Sequence, residues 1–107
     1  MTQQVITSQP LQAGDLVLDL NKTTLSKGDT TFHLTPIETK LMAVLMKNVG
    51  NVVSREQLFA EVWHTDDAGG SRLLDVYIHW LRQKVEDNPR IPEHILTRRG
   101  LGYELRI

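Results

Sequence analysis

Two helix-start signatures, Thr35-Pro36-Ile37-Glu38 and Ser54-Arg55-Glu56-Gln57, constrain this chain more than any other feature of its sequence. In the first, the Thr35 hydroxyl can cap a first helical turn, Pro36 has the φ that turn requires, and Glu38 closes a capping box from three residues on. Ile37, Leu41, Val44 and Leu45 follow at helical spacing, and Gly50 ends the element. The second box opens a shorter helix carrying Leu58, Phe59, Val62 and Trp63. A third helix is predicted from Ser71 to Glu86, with Leu74, Ile78, Leu81 and Val85 on one buried stripe and Asn88-Pro89 as its stop.

Short extended runs flank the helices. Leu16, Leu18 and Leu20 alternate with Val17 and Asp19, then Thr23 to Ser26 and Thr30 to Leu34 follow, separated by turn signals at Asn21-Lys22 and Lys27-Gly28-Asp29. They predict a small antiparallel meander. At the other end, Ile95 to Thr97 and Tyr103 to Ile107 bracket Arg98-Arg99-Gly100-Leu101-Gly102 and predict a hairpin. The expected fold is α+β: a small N-terminal antiparallel β-sheet, three helices and a C-terminal β-hairpin wing, which is the winged helix-turn-helix plan. Residues 1–10, rich in Gln, Thr and Ser, are expected to be the end of a linker, with a single domain over residues 11–107.

Several chemistries are excluded or disfavoured. The chain has no cysteine, which removes disulfides, thiolate metal sites and thiol catalysis. No apolar run approaches the ~20 residues of a membrane span, and the first residues lack a signal-peptide pattern, so a cytoplasmic setting without membrane contact is expected. His33, His64, His79 and His94 have no metal-ligand spacing, and no nucleophile stands beside a base. Gly100-x-Gly102 leads into a strand rather than a helix, unlike a phosphate loop. No catalytic residue, metal or cofactor is expected.

The net charge is −1, but it is unevenly distributed. Residues 1–70 hold five Lys/Arg against eight Asp/Glu, whereas residues 71–107 hold seven against five. Binding responds to the local field, so the basic C-terminal third matters more than the total. On the third helix, Arg72, Leu73, Val76, His79, Trp80 and Gln83 fall opposite the core stripe. Leu73, Val76 and Trp80 form an apolar strip where a surface helix should be polar, which marks a contact surface unless the sheet or hairpin covers it. In a recognition helix, such apolar groups touch thymine methyls while the polar ones reach base edges and phosphates. Arg98 and Arg99, at an exposed turn beside Gly100, suit phosphates or a narrow minor groove.

The stretch from Thr35 to Tyr103 resembles the C-terminal effector domain of OmpR/PhoB-type response regulators. The resemblance is carried by Leu34-Thr35-Pro36-Ile37-Glu38, by Val53-Ser54-Arg55-Glu56-Gln57-Leu58 with Val62-Trp63, by Leu74-Asp75-Val76-Tyr77-Ile78-x-x-Leu81-Arg82-x-Lys84, and by Thr97-Arg98-Arg99-Gly100-Leu101-Gly102-Tyr103. It implies a four-stranded N-terminal sheet and sequence-specific binding to promoter DNA in a bacterial two-component system. The recognition helix would contribute Arg72, Leu73, Val76, His79, Trp80, Arg82 and Gln83, and the wing Arg98, Arg99 and Gly100. It also implies that His64, Thr65, Asp66, Asp67, Ala68, Gly69 and Gly70 form a loop touching RNA polymerase. A receiver domain and sensor kinase would act upstream. The domain would be a monomer when free and a head-to-tail dimer on direct repeats. His79 and Trp80 stand where members often carry Arg or Lys, so basic roles do not transfer to them. The rival reading is a winged helix used for protein–protein contact through Leu73, Val76 and Trp80.

Overall fold

The computed structural model describes residues 10–64 and 72–107. Four short strands open it: β1 (Leu11–Ala13), β2 (Leu16–Asp19), β3 (Thr24–Lys27) and β4 (Thr30–His33), paired antiparallel in chain order. The residue pattern alone predicts the last three. β1 adds a fourth, too short to show an alternation of its own and held by pairing Leu11 with Leu18 and Ala13 with Leu16. Ala13, Leu16, Leu18 and Leu25 turn the same face of this sheet into the core.

Helix α1 (Pro36–Lys47) has both halves of the expected capping box. The Glu38 N–H donates to Thr35 Oγ1 at 3.2 Å, and the Thr35 N–H donates to Glu38 Oε1 at 2.9 Å. The helix ends at Lys47 rather than running to Gly50. Gly50, at φ 85°, turns the chain so that its N–H reaches the Leu105 carbonyl at 2.8 Å. Strand β5 (Val52–Ser54) follows, which the sequence pattern does not reveal.

Helix α2 (Arg55–Leu58) starts with only half of its expected box. Ser54 Oγ accepts the Gln57 N–H at 3.0 Å, but the Gln57 side chain turns along the helix, its Nε2 donating to Glu61 at 2.7 Å, and its Oε1 does not accept the Ser54 N–H. The helix widens into a π turn over Phe59–Trp63, which buries Phe59 and Val62 together. Helix α3 (Leu73–Val85) buries Leu74, Ile78, Leu81 and Val85, the predicted stripe. Ser71 lies outside the described residues. The helix stops one residue short of Glu86 because that residue is extended. Its buried carboxylate accepts the N–H groups of Glu93, His94 and Ile95 at 2.9, 3.0 and 2.7 Å. No satisfactory place for that charge exists inside a continued helix, since burial demands these partners.

Strands β6 (Ile95–Arg98) and β7 (Gly102–Leu105) form the hairpin, and β5 pairs with the other edge of β7, giving the order β5-β7-β6. Gly102 permits that third strand. A Cβ there would lie 2.0 Å from the Val53 carbonyl oxygen, so any side chain would push β5 away.

Asp75 joins three elements. Its carboxylate accepts from Arg55 Nη1 at 2.7 Å and from the Tyr103 hydroxyl at 2.5 Å, linking α3 to α2 and to β7. Burial works to raise its pKa, but the bonds from Arg55 and Tyr103 outweigh it and hold the carboxyl below its ordinary 3.8. Burial and then the same bond push the Tyr103 hydroxyl up to about 12. Each shift gives a stability window. The Asp75 contribution is complete above 3.8 and is lost as pH falls through the lower folded value. The Tyr103 contribution is complete below 10.0 and is lost as pH rises toward about 12. We expect Asp75→Asn to cost about 1 kcal/mol at neutral pH, at the low end because the carboxylate keeps solvent contact. Urea unfolding across the pH range checks this: Asp75→Asn should flatten the acid limb and Tyr103→Phe the alkaline limb.

Candidate nucleic-acid interface

Neither the sheet nor the hairpin covers the outer face of α3. Leu73, Val76 and Trp80 are 44%, 40% and 46% exposed, and Arg72, His79 and Gln83 are exposed around them. The apolar strip read from the sequence is therefore a real surface. A chain of aromatic rings backs it. The Trp80 ring meets Tyr77 edge-on at 5.2 Å, Tyr77 lies 5.8 Å from Trp63, and Trp63 lies 5.0 Å from Phe59 in the core. This chain of rings was not read from the sequence. Tyr77 and Trp80 are three apart on one helix, but Trp63 reaches them from the π turn, across a gap that no spacing rule predicts.

The arginines divide by what already holds them. Arg82 Nε and Nη2 donate to the Ile95 carbonyl at 3.0 and 2.7 Å, and Nη2 also reaches Thr97 Oγ1 at 3.0 Å. Its guanidinium sits 5.8 Å from the centre of the Tyr103 ring. Arg82 thus braces α3 against the hairpin, and the two hydrogens on Nη1 remain for an outside acceptor. Arg98 is similarly engaged: its Nε donates to Glu104 at 2.7 Å. Arg99 is exposed and forms no hydrogen bond or ion pair among the described residues. Arg72 is exposed at the start of α3.

Beside Arg99, Gly100 has φ 76°, and the Leu101 N–H closes on the Arg98 carbonyl at 2.9 Å. A positive φ at the third residue of a turn closed this way is the type II arrangement, which glycine accommodates without strain. The structure therefore brings Arg72, Leu73, Val76, His79, Trp80 and Gln83 onto one face. It places Arg82 at the joint and Arg98, Arg99 and Gly100 on the adjoining turn. His64 is exposed in a left-handed conformation at φ 57°. Thr65, Asp66, Asp67, Ala68, Gly69 and Gly70 lie outside the described residues.

Among the described residues, no three His, Asp or Glu side chains group as metal ligands, and no helix is long and apolar enough to cross a membrane. An open groove of about 420 Å³ lies between α1 and the β2–β3 turn, lined by Leu20, Thr39, Ala43, Val44 and Glu61 among others, with no residue from α3 or the hairpin.

Comparison with known proteins converges on one family. The family described as "Transcriptional regulatory protein, C terminal" matches residues 29–105. The KDP operon transcriptional regulatory protein KdpE of Escherichia coli is 39% identical over 93 residues, covering 87% of this chain but 41% of KdpE. Among solved structures, the Klebsiella pneumoniae RstA DNA-binding domain in complex with the RstA box superposes with a TM-score of 0.82 at 25% identity, covering 92% of this chain and 98% of that one. The Thermotoga maritima OmpR/PhoB homolog DrrB gives 0.76 at 32% identity, covering 91% of this chain and 44% of that one. With its sheet, three-helix core and wing in this arrangement, the chain belongs to the OmpR/PhoB-type response regulators, as a C-terminal winged-helix DNA-binding domain.

Proposed function

We propose that this domain binds specific promoter sequences, with α3 in the major groove and the β6–β7 turn in the minor groove, and thereby controls transcription. The observation that carries the proposal is the uncovered outer face of α3 together with an exposed Arg99 that has no partner among the described residues. Val76 packs against a thymine methyl. Arg72, His79 and Gln83 reach base edges and phosphates, and Leu73 and Trp80 supply apolar and stacking contact. Arg82 adds a phosphate contact through Nη1. Arg98 and the Gly100 backbone support Arg99, which enters the groove where A·T tracts make it narrow and most negative.

The family resemblance extends the proposal. On that basis residues 64–70 would contact RNA polymerase, a receiver domain and sensor kinase would control the domain, and head-to-tail pairs on direct repeats would be its mode of binding. A cytoplasmic location is part of the same proposal. The apolar strip and the net charge of −1 favour one other reading, a protein-docking surface, and the experiments below separate the two.

Selection of duplexes from a random pool, followed by affinity against salt, tests the DNA reading directly. Few basic groups line α3, so about four to six phosphate contacts are expected, each adding about −0.9 to the slope of log affinity on log salt. A protein-docking module would select no duplex. A second expectation concerns Val76. Val76→Ala should cost about 1 kcal/mol of binding at one thymine, and uracil at that position should cancel the difference. Its melting temperature should match wild type, while the core control Leu81→Ala should lose about 2–5 kcal/mol of stability. A third concerns Arg99. Arg99→Ala should weaken binding most on duplexes with an A·T tract under the wing, because groove width sets the potential the guanidinium meets. Competition between A·T- and G·C-flanked sites measures that difference, and equal loss on both would reduce Arg99 to an ordinary phosphate contact.

A further inference from the structure

We propose that Leu101 is a specificity-determining residue of the wing, packing on the deoxyribose walls of a narrow minor groove beside Arg99. The proposal rests on the DNA reading above and extends it to a residue that the charge pattern does not pick out. Leu101 is 63% exposed, more than any residue of the apolar strip on α3. It does not lie on a sheet face awaiting a neighbour but in the hairpin turn itself, where its N–H closes on the Arg98 carbonyl at 2.9 Å. Gly100 separates it from Arg99, and a Cβ on that glycine would meet nothing within 4 Å, so the turn is open on that side. Arg98 next to it is engaged by Glu104. The tip thus offers an outside partner one cation unpaired among the described residues and one large apolar side chain, with a glycine between them.

The minor groove offers the matching pair of surfaces. Its floor and phosphate rims are negative, and its walls are the C–H edges of the sugars. Apolar side chains, leucine among them, are inserted there by other DNA-binding proteins. In a narrow A·T groove both walls lie close to an inserted side chain. A wider groove leaves the leucine in contact with one wall or none. Leu101 would therefore sense groove width by contact area, whereas Arg99 senses it by potential. The two contributions differ in salt dependence. Arg99 displaces counterions, and leucine, which neutralises no phosphate, displaces none.

The test measures affinity against salt for the 107-residue chain on the duplex it enriches most from a random pool, and on versions with A·T or G·C pairs under the wing. Leu101→Ser should bind the A·T version about tenfold more weakly at every salt concentration, with an unchanged slope, as expected for partial loss of one buried leucine. Leu101→Gln, which keeps the bulk and adds no charge, should show the same loss, and both should melt with the wild type. Arg99→Ala should instead make the slope shallower by about 0.9. If Leu101→Gln binds like wild type, if its loss is equal on A·T and G·C versions, or if its slope changes, the assignment is wrong while the DNA reading stands. If the wild-type chain enriches no duplex, the DNA reading fails and the leucine assignment with it.

Discussion

Burial of one helix stripe governs the arrangement. Leu74, Ile78, Leu81 and Val85 are fully removed from water, and their apolar contact seats α3 on the rest of the core. Because the helix is a rigid rod with a fixed turn, seating one stripe dictates what the opposite face presents. The outward display of Val76, His79 and Trp80 follows from the inward preference of four aliphatic residues. Polar links then set the position more finely. Asp75 ties α3 to α2 and β7, Arg82 ties it to β6, and Lys84 reaches Glu38 on α1 at 3.0 Å. Such links contribute modestly to stability, but they are directional, which apolar contact is not. They hold the helix and the wing at one separation, which the proposed contact with two grooves at once requires.

The same links explain how a chain with a net charge of −1 offers a cationic edge. Four of its acidic groups near α3 and the hairpin are engaged internally. Asp75 faces Arg55 and Tyr103, Glu38 faces Lys84, Glu104 faces Arg98, and Glu86 accepts three backbone N–H groups. Burial pulls the Glu38 carboxyl upward, but its bonds from Thr35 and Lys84 prevail and keep it below the ordinary range. The cations left without such a partner, Arg99 above all, stand at the edge of the molecule. A solvent-exposed charge acts over roughly a Debye length, about 8–10 Å at ordinary salt. Within that range an approaching anion meets the edge rather than the average of the whole chain.

Much of this was legible in the sequence because it depends on local spacing. The Thr35–Glu38 box, the α3 stripe and the hairpin with its glycine turn each follow from residues within a few positions of one another. What the sequence hid depends on distant residues. β5 exists because β7 offers it an edge and because Gly102 lets it approach. The end of α3 is set by amides of residues 93–95, which no periodicity within the helix reveals. The π turn and the ring contact from Trp63 to Tyr77 likewise depend on packing between elements.

The candidate site divides in the same way. From spacing alone, the sequence determined that α3 has a core face and an apolar outer face, and that a paired-arginine turn follows it. Those are one-dimensional properties, since a helix converts residue number directly into angle. Only the tertiary structure decided that the outer face stays uncovered, that Arg82 braces the helix against the hairpin, and that of the two adjacent arginines Arg98 is paired while Arg99 has no partner among the described residues. Those outcomes turn on which groups meet across the fold. Arg98 and Arg99 are the same residue type in the same turn, and the difference between them is that Glu104, brought alongside by the β6–β7 pairing, lies within reach of one guanidinium.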